Sequence, residues 1–226
     1  PSMGYHLTER KIEAELGDDD LDHNVQRLGY WPKYNQKSAI SMEEWDALAY
    51  KRMPKLVTPL YVGIKYGNDG ANVAMSIAAK TSTDKVFVES IDCQSVRNGN
   101  AWILDFISKA NVEMVVVDGA SGQDLLTTEM KRAKVRPYPI LPKVKEVITA
   151  YSAFERGIHL ETIAHKNQPS LTQVVTNTEK RPIGSNGGFG YKSQFEDYDI
   201  ALLDSVALAH WACSESKPKK VQQVRY

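Results

Sequence analysis

The chain has 226 residues, 42% of them apolar and 25% charged, with a formal net charge of zero. That is ordinary globular composition, and zero net charge argues against a protein that binds nucleic acid by bulk charge. No apolar run approaches the ~20 residues that span a bilayer, so no membrane partner is expected. Cys93 and Cys213 have neither metal nor redox spacing and read as two reduced thiols in a cytoplasm.

Pro1-Ser2-Met3 reads as a cloning remnant before a native start. Residues 1–55 carry ten acids and eight bases with few apolar positions, and read as a linker that needs something to pack on. Within them Thr8–Leu16 is expected to be helical, ending in the acidic turn Gly17-Asp18-Asp19-Asp20, and Trp31–Asn35 to be a loop. Ser41 followed by Glu44 predicts a capping box, opening a helix with Trp45, Leu48 and Ala49 on one face.

From Leu60 the texture changes. Strands are predicted at Tyr61–Ile64, Ala71–Lys80 and Val86–Ile91, joined by short turns as an antiparallel meander. Gly99–Ala110 is an amphipathic helix, and Val115-Val116-Val117 a strand buried on both faces. A helix at about Gln123–Lys134, a strand at Tyr138–Leu141 and a helix at Val144–Gly157 follow. Then come a strand at His159–Thr162, a helix at Pro169–Thr178 and a hairpin at Lys180–Lys192 around Gly184-Ser185-Asn186-Gly187-Gly188. Asp199–Cys213 is an almost wholly apolar helix, and residues 216–226 a basic tail. A meander followed by alternating helices and strands implies an α/β mixed sheet flanked by helices on both faces, the layout of a ribonuclease H-like fold.

Two acids draw attention within that layout. Asp118 ends the Val115 strand and is followed by two glycines within four residues, at the carboxyl end where α/β sheets gather ligands. Alone, it would more readily cap the next helix. Asp204 sits in the middle of the apolar C-terminal helix, and a buried carboxylate requires a cation or a shifted pKa. A lysine or His210 could supply its partner, but a metal shared with Asp118 accounts for both acids. A third ligand is expected at or just past the end of the first strand, where Asp69 is the candidate, although Asn68-Asp69-Gly70 also suits a tight turn. Glu89, Asp92, Asp197 and Asp199 are reserves. Oxygen ligands without a Cys/His set point to Mg²⁺ or Mn²⁺. Two such ions about 4 Å apart would activate water and stabilise the leaving oxygen in phosphodiester cleavage.

Other motifs fail. Tyr191 precedes Lys192 where a phosphate-binding loop needs glycine, so the chain carries no ATP-site motif of that kind, and Gly119–Gly122 lacks the spacing of a nucleophile elbow. Lys143, Lys145, Lys180, Arg181 and Lys192 are placed to neutralise phosphates, alongside the bland reading of a solvated surface.

The runs Tyr61–Gly70, Val116–Gly119, Gln168–Thr172 with Val174–Asn177, and Asp204–Ala209 together resemble the nuclease domain of tailed-bacteriophage terminase large subunits over roughly residues 56–214. The resemblance implies a metal-dependent endonuclease that cuts concatemeric double-stranded viral DNA during packaging in the host cell cytoplasm. Its acids would fall on Asp118 and Asp204. It implies residues 1–55 as the linker from an ATPase domain absent here and 56–215 as the nuclease domain. Its partners would be that ATPase domain, the small terminase subunit and the portal protein. One departure stands out: the acid expected at the end of the first strand is replaced by Lys65. Either Asp69 folds back to serve, or an ammonium occupies a weakened first metal site. The alternatives are a DNA-guiding or portal-docking module with a lost active site, or another ribonuclease H-like nuclease such as a junction resolvase.

Overall fold

The computed structural model describes residues 38–68, 70–185, 187–195 and 199–216. The expected helix at Thr8–Leu16, the loop at Trp31–Asn35, Asp69, Asp197 and residues 217–226 lie outside them. Five strands form one sheet in the order β4-β1-β2-β3-β5: β1 Leu60–Tyr66, β2 Asn72–Lys80, β3 Val86–Ser95, β4 Val112–Asp118 and β5 Ile163–Ala164. The meander β1-β2-β3 is antiparallel, whereas β4 joins β1, and β5 joins β3, in parallel.

Helices cover both faces. On one, α2 Ala101–Lys109 and α3 Gln123–Arg132 seat Ile103, Ile107, Leu126 and Met130 against Val62, Ile64, Val115 and Val117. On the other lie α4 Val144–His159, α5 Pro169–Thr176 and α6 Ala201–Glu215, with Phe154, Leu171, Leu203 and Val206 over Tyr61, Ala78, Val88 and Val116. Val115, Val116 and Val117 are completely buried, as a strand covered on both sides requires. A second, two-stranded sheet pairs β6 Thr178–Ile183 with β7 Gly188–Ser193. Among the described residues no helix is long and apolar enough to cross a membrane.

The short helix α1 Met42–Ala47 forms the expected capping box. The backbone N–H of Glu44 donates to the Ser41 hydroxyl at 3.2 Å, and that of Ser41 to the Glu44 carboxylate at 2.9 Å. What this segment packs on is the main body itself. Ile40, Trp45 and Leu48 are buried in the core under α4, and Trp45 stacks on His165 with ring centroids 3.8 Å apart.

Three local expectations need correction. Tyr138–Leu141 makes a single parallel bridge, Ile140 to Val116, because Pro137 and Pro142 bracket it and limit ladder formation. His159–Thr162 is not a strand: Gly157 lies inside α4, and the reversal comes at Glu161, with φ 53°, before β5. The first strand does not stop at Ile64 but runs through Tyr66, which places Lys65 inside the ladder.

Candidate metal centre at the carboxyl end of β1 and β4

Side chains alternate along a strand. In β1 the residues Tyr61, Gly63 and Lys65 therefore point to the face covered by α6, while Val62, Ile64 and Tyr66 point to the α2–α3 face. In β4 the same alternation sends Val116 and Asp118 toward α6. Lys65 and Asp118 are direct partners in the parallel register. Both end at the carboxyl edge of the sheet, on one face.

Asp204 arrives from α6, which lies unusually close to β1. A Cβ at Gly63 would run into the Ser205 carbonyl oxygen, and would come 2.5 Å from the Ala209 nitrogen. Only glycine lets the helix backbone rest on the strand there. A buried hydroxyl pair, Ser76 of β2 with Ser205 at 2.7 Å, pins the rotation of the helix. The result is that Asp204, three residues beyond the helix start and only 3% exposed, faces Lys65 and Asp118.

The Lys65 ammonium lies 2.5 Å from Oδ2 of Asp118 and 3.9 Å from Oδ2 of Asp204. Tyr151 of α4 brings its hydroxyl near the Asp204 carboxylate, close enough to influence its charge. Oδ1 of Asp204 is buried with no hydrogen-bond partner. Burial pushes the Asp204 carboxyl up to about 6, with Lys65 and the Tyr151 hydroxyl opposing and Asp118 and Asp199 adding to the rise. The Tyr151 phenol is raised well above its ordinary range, first by burial and then by the charge of Asp204.

Asp118 and Asp204, the two acids expected to converge, are thus brought to one point. The partner that His210 might have offered is not made: His210 packs edge-on to Phe154, and its Nδ1 is buried without a hydrogen bond. Among the reserve acids, Asp199 is near enough to influence Asp204, and its Oδ1 accepts from the Ala201 N–H at 2.9 Å. Glu89 and Asp92 do not belong to the site. They stand opposite Ile77 and Met75 in the ladder, on the α2–α3 face, where Asp92 lines a groove with Trp102 and Phe106.

Nothing local in the sequence marks out Tyr151: at helical spacing with Phe154 and Ile158 it reads as one more core aromatic, and its nearness to Asp204 depends on how α4 and α6 pack.

The basic residues divide into two groups. Lys143 and Lys145 are exposed at the start of α4. Lys180 pairs with Glu155 at 2.5 Å and lies over the Phe189 ring, and Lys192 pairs with Glu179 at 2.7 Å. Arg181 donates through Nε to the Tyr191 carbonyl oxygen at 3.1 Å.

Two carboxylates with one unpartnered buried oxygen are a donor set that suits one hard divalent cation. Among the described residues no group of three or more His, Cys, Asp or Glu is arranged to hold an ion.

Neither family models nor curated protein sequences match the chain. Solved structures do. The HK97 bacteriophage large terminase superposes with a TM-score of 0.62 at 14% identity, over 94% of this chain and 52% of that one. The chain has the fold of a large-terminase nuclease domain. The nuclease domain of the large terminase subunit of bacterial virus Sf6, solved with manganese and beta-thujaplicinol, gives 0.56 at 11% identity, covering 76% of this chain and 98% of its own. The large terminase nuclease from thermophilic phage G20c gives 0.53 at 14% identity, over 75% and 93%. The chain therefore spans about half the HK97 protein but matches nearly the full length of the separate nuclease domains. This terminase-nuclease fold is the ribonuclease H-like mixed sheet expected from the element order, and the Asp118–Lys65–Asp204 cluster lies at the carboxyl end of its parallel β1–β4 pair.

Proposed function

We propose that this chain is the metal-dependent endonuclease part of a phage large terminase, cutting concatemeric double-stranded DNA during genome packaging in the host cell cytoplasm. The observation that carries the reading is the convergence of Asp118 and Asp204, from a strand end and a buried helix, in a fold shared with large-terminase nucleases. Asp118 and Asp204 would hold Mg²⁺ or Mn²⁺, with Asp69 as the proposed third ligand. Bound there, the ion would supply the Lewis acidity that activates water for phosphodiester hydrolysis. The Tyr151 hydroxyl lies near the Asp204 carboxylate, and burial under α4 and α6 keeps bulk water away from its inner oxygen. Two ions about 4 Å apart, as expected for such chemistry, would want a further acid where Lys65 stands. Lys143, Lys145, Lys180, Arg181 and Lys192 would carry the DNA backbone. An ATPase domain, a small terminase subunit and a portal protein are the partners this reading implies.

The ammonium between the acids favours a second reading, a DNA-guiding or portal-docking module without metal chemistry. Plasmid cleavage in Mn²⁺ or Mg²⁺ separates the two, comparing wild type with Asp118→Ala, Asp204→Ala and Asp69→Ala. The endonuclease reading expects nicking that Asp118→Ala and Asp204→Ala abolish. Cleavage unaffected by Asp118→Ala removes the catalytic assignment, and loss of activity in Asp69→Ala supports the third ligand.

A further inference from the structure

Lys65 puts a positive charge inside a cluster that would otherwise hold only negative ones. Its side chain is 10% exposed, and its Nζ meets Oδ2 of both acids, closely at Asp118 and at 3.9 Å from Asp204. An ammonium has donors only and cannot ligate a metal. It therefore occupies one oxygen of Asp118 directly, screens the second acid, and brings no ligand of its own. One oxygen of Asp204 stays unpartnered and buried.

The charge count points the same way. Asp118, Asp204 and Lys65 leave a single negative charge, and Asp199 nearby adds a second. One dication balances this. A second dication would face the same two acids, already shared with an ammonium and the first ion, at a cost in mutual repulsion that Coulomb's law makes steep at these distances.

We propose that Lys65 is a built-in cation standing in place of one metal ion, so that the centre takes a single divalent ion at Asp118 and Asp204. This rests on the endonuclease reading above. Lys65 then sets the Asp118 carboxylate by a direct hydrogen bond. Its remaining donors can meet a phosphate oxygen without a second metal.

The test is a Mn²⁺ titration of the full chain without DNA, with free ion followed by electron paramagnetic resonance and folding followed by circular dichroism. Wild type is expected to bind one Mn²⁺ per chain and Lys65→Asp two. Lys65→Met, which keeps the length and removes the charge, should bind its one ion at least tenfold more tightly, yet cleave DNA at least tenfold more slowly at saturating Mn²⁺. A lysine with a merely structural role would not move affinity and rate in opposite directions. Two ions in the wild type, or one in a folded Lys65→Asp, overturn the inference and leave the endonuclease reading standing. No ion and no cleavage in the wild type overturn both. If Lys65→Asp does not fold, Lys65→Met decides, and unchanged affinity overturns the proposal.

Discussion

Lys65 and Asp118 are register partners on adjacent parallel strands, and their side chains join at 2.5 Å under α6. Acids gathered for a metal ordinarily repel one another, so neutralising one of them stabilises the metal-free protein. Here the ammonium reverses that expectation. Asp118→Asn leaves Lys65 with Asp204 alone at 3.9 Å, and should cost about 2 kcal/mol, below the range for a fully buried pair because Asp118 is a fifth exposed. Urea denaturation in EDTA at neutral pH measures it. A gain in stability would show that Lys65 does not offset the charge of Asp118.

Gly63 sets how close α6 lies to the sheet. Gly63→Ala has to push the helix off the Ser205 carbonyl and the Ala209 nitrogen, both backbone atoms that cannot rotate away. Overpacking of this kind costs about 3 kcal/mol and carries Asp204 away from Lys65. Chemical denaturation should show the loss, and DNA cleavage should fall further than the stability change explains.

Trp45 ties residues 38–49 to the body. It is fully buried, stacks on His165, and donates through Nε1 to the Thr172 hydroxyl at 3.1 Å. Trp45→Ala should cost about 4 kcal/mol, as large aromatic truncations in cores do. Thr172→Val, which removes the hydroxyl that accepts from Trp45 and donates to Asn167, should cost about 2 kcal/mol. Limited proteolysis provides a second readout, with new cleavage between Leu48 and Pro54 expected in Trp45→Ala alone.

His210 is an acid-sensitive group of the core. Burial lowers its imidazole to about 4 from a starting value of 6.5. Between those values the unfolded chain takes up the proton first, so the His210 contribution to stability is fully present above pH 6.5 and falls as pH drops toward 4. Asp204, raised to about 6, contributes with the opposite sign over an overlapping range. The His210 loss amounts to about 3 kcal/mol. His210→Leu has no such group. Its stability relative to wild type should rise by about that amount over the same window, as followed by thermal denaturation at successive pH values. Parallel curves would rule out His210 as the source.

Lys143 and Lys145 are the exposed cations at the start of α4, whereas Lys180 and Lys192 already pair with Glu155 and Glu179. Each phosphate contact contributes about 0.9 to the slope of log affinity against log salt. Lys143→Gln with Lys145→Gln should therefore flatten the slope by about 2, measured by fluorescence anisotropy on duplex DNA without divalent ions. Lys180→Gln should change it less, since an existing ion pair is given up when DNA binds. An unchanged slope in the double variant would place the DNA elsewhere.

Much of the fold could be read from local pattern. Three β-branched residues at 115–117, turn residues between the meander strands and an apolar stretch from 200 to 213 each specify their element through burial periodicity and turn chemistry. Those signals need no knowledge of distant residues. They also singled out Asp118 and Asp204, because an acid ending a buried strand or interrupting an apolar helix is costly wherever the chain goes. Errors fell where elements are short or decided by packing. Proline-bracketed 138–141 makes one bridge, and α4 runs past Gly157 because its apolar face continues over the sheet. Tertiary structure alone decided what stands between the acids. Lys65 could be seen to replace an expected carboxylate, but its meeting with both Asp118 and Asp204 depends on parallel register and on α6 resting against Gly63. The Tyr151 hydroxyl likewise came near Asp204 only when α4 and α6 packed side by side. Periodicity specifies which face a side chain takes, whereas the neighbour it finds there is set by contacts between residues far apart in the chain.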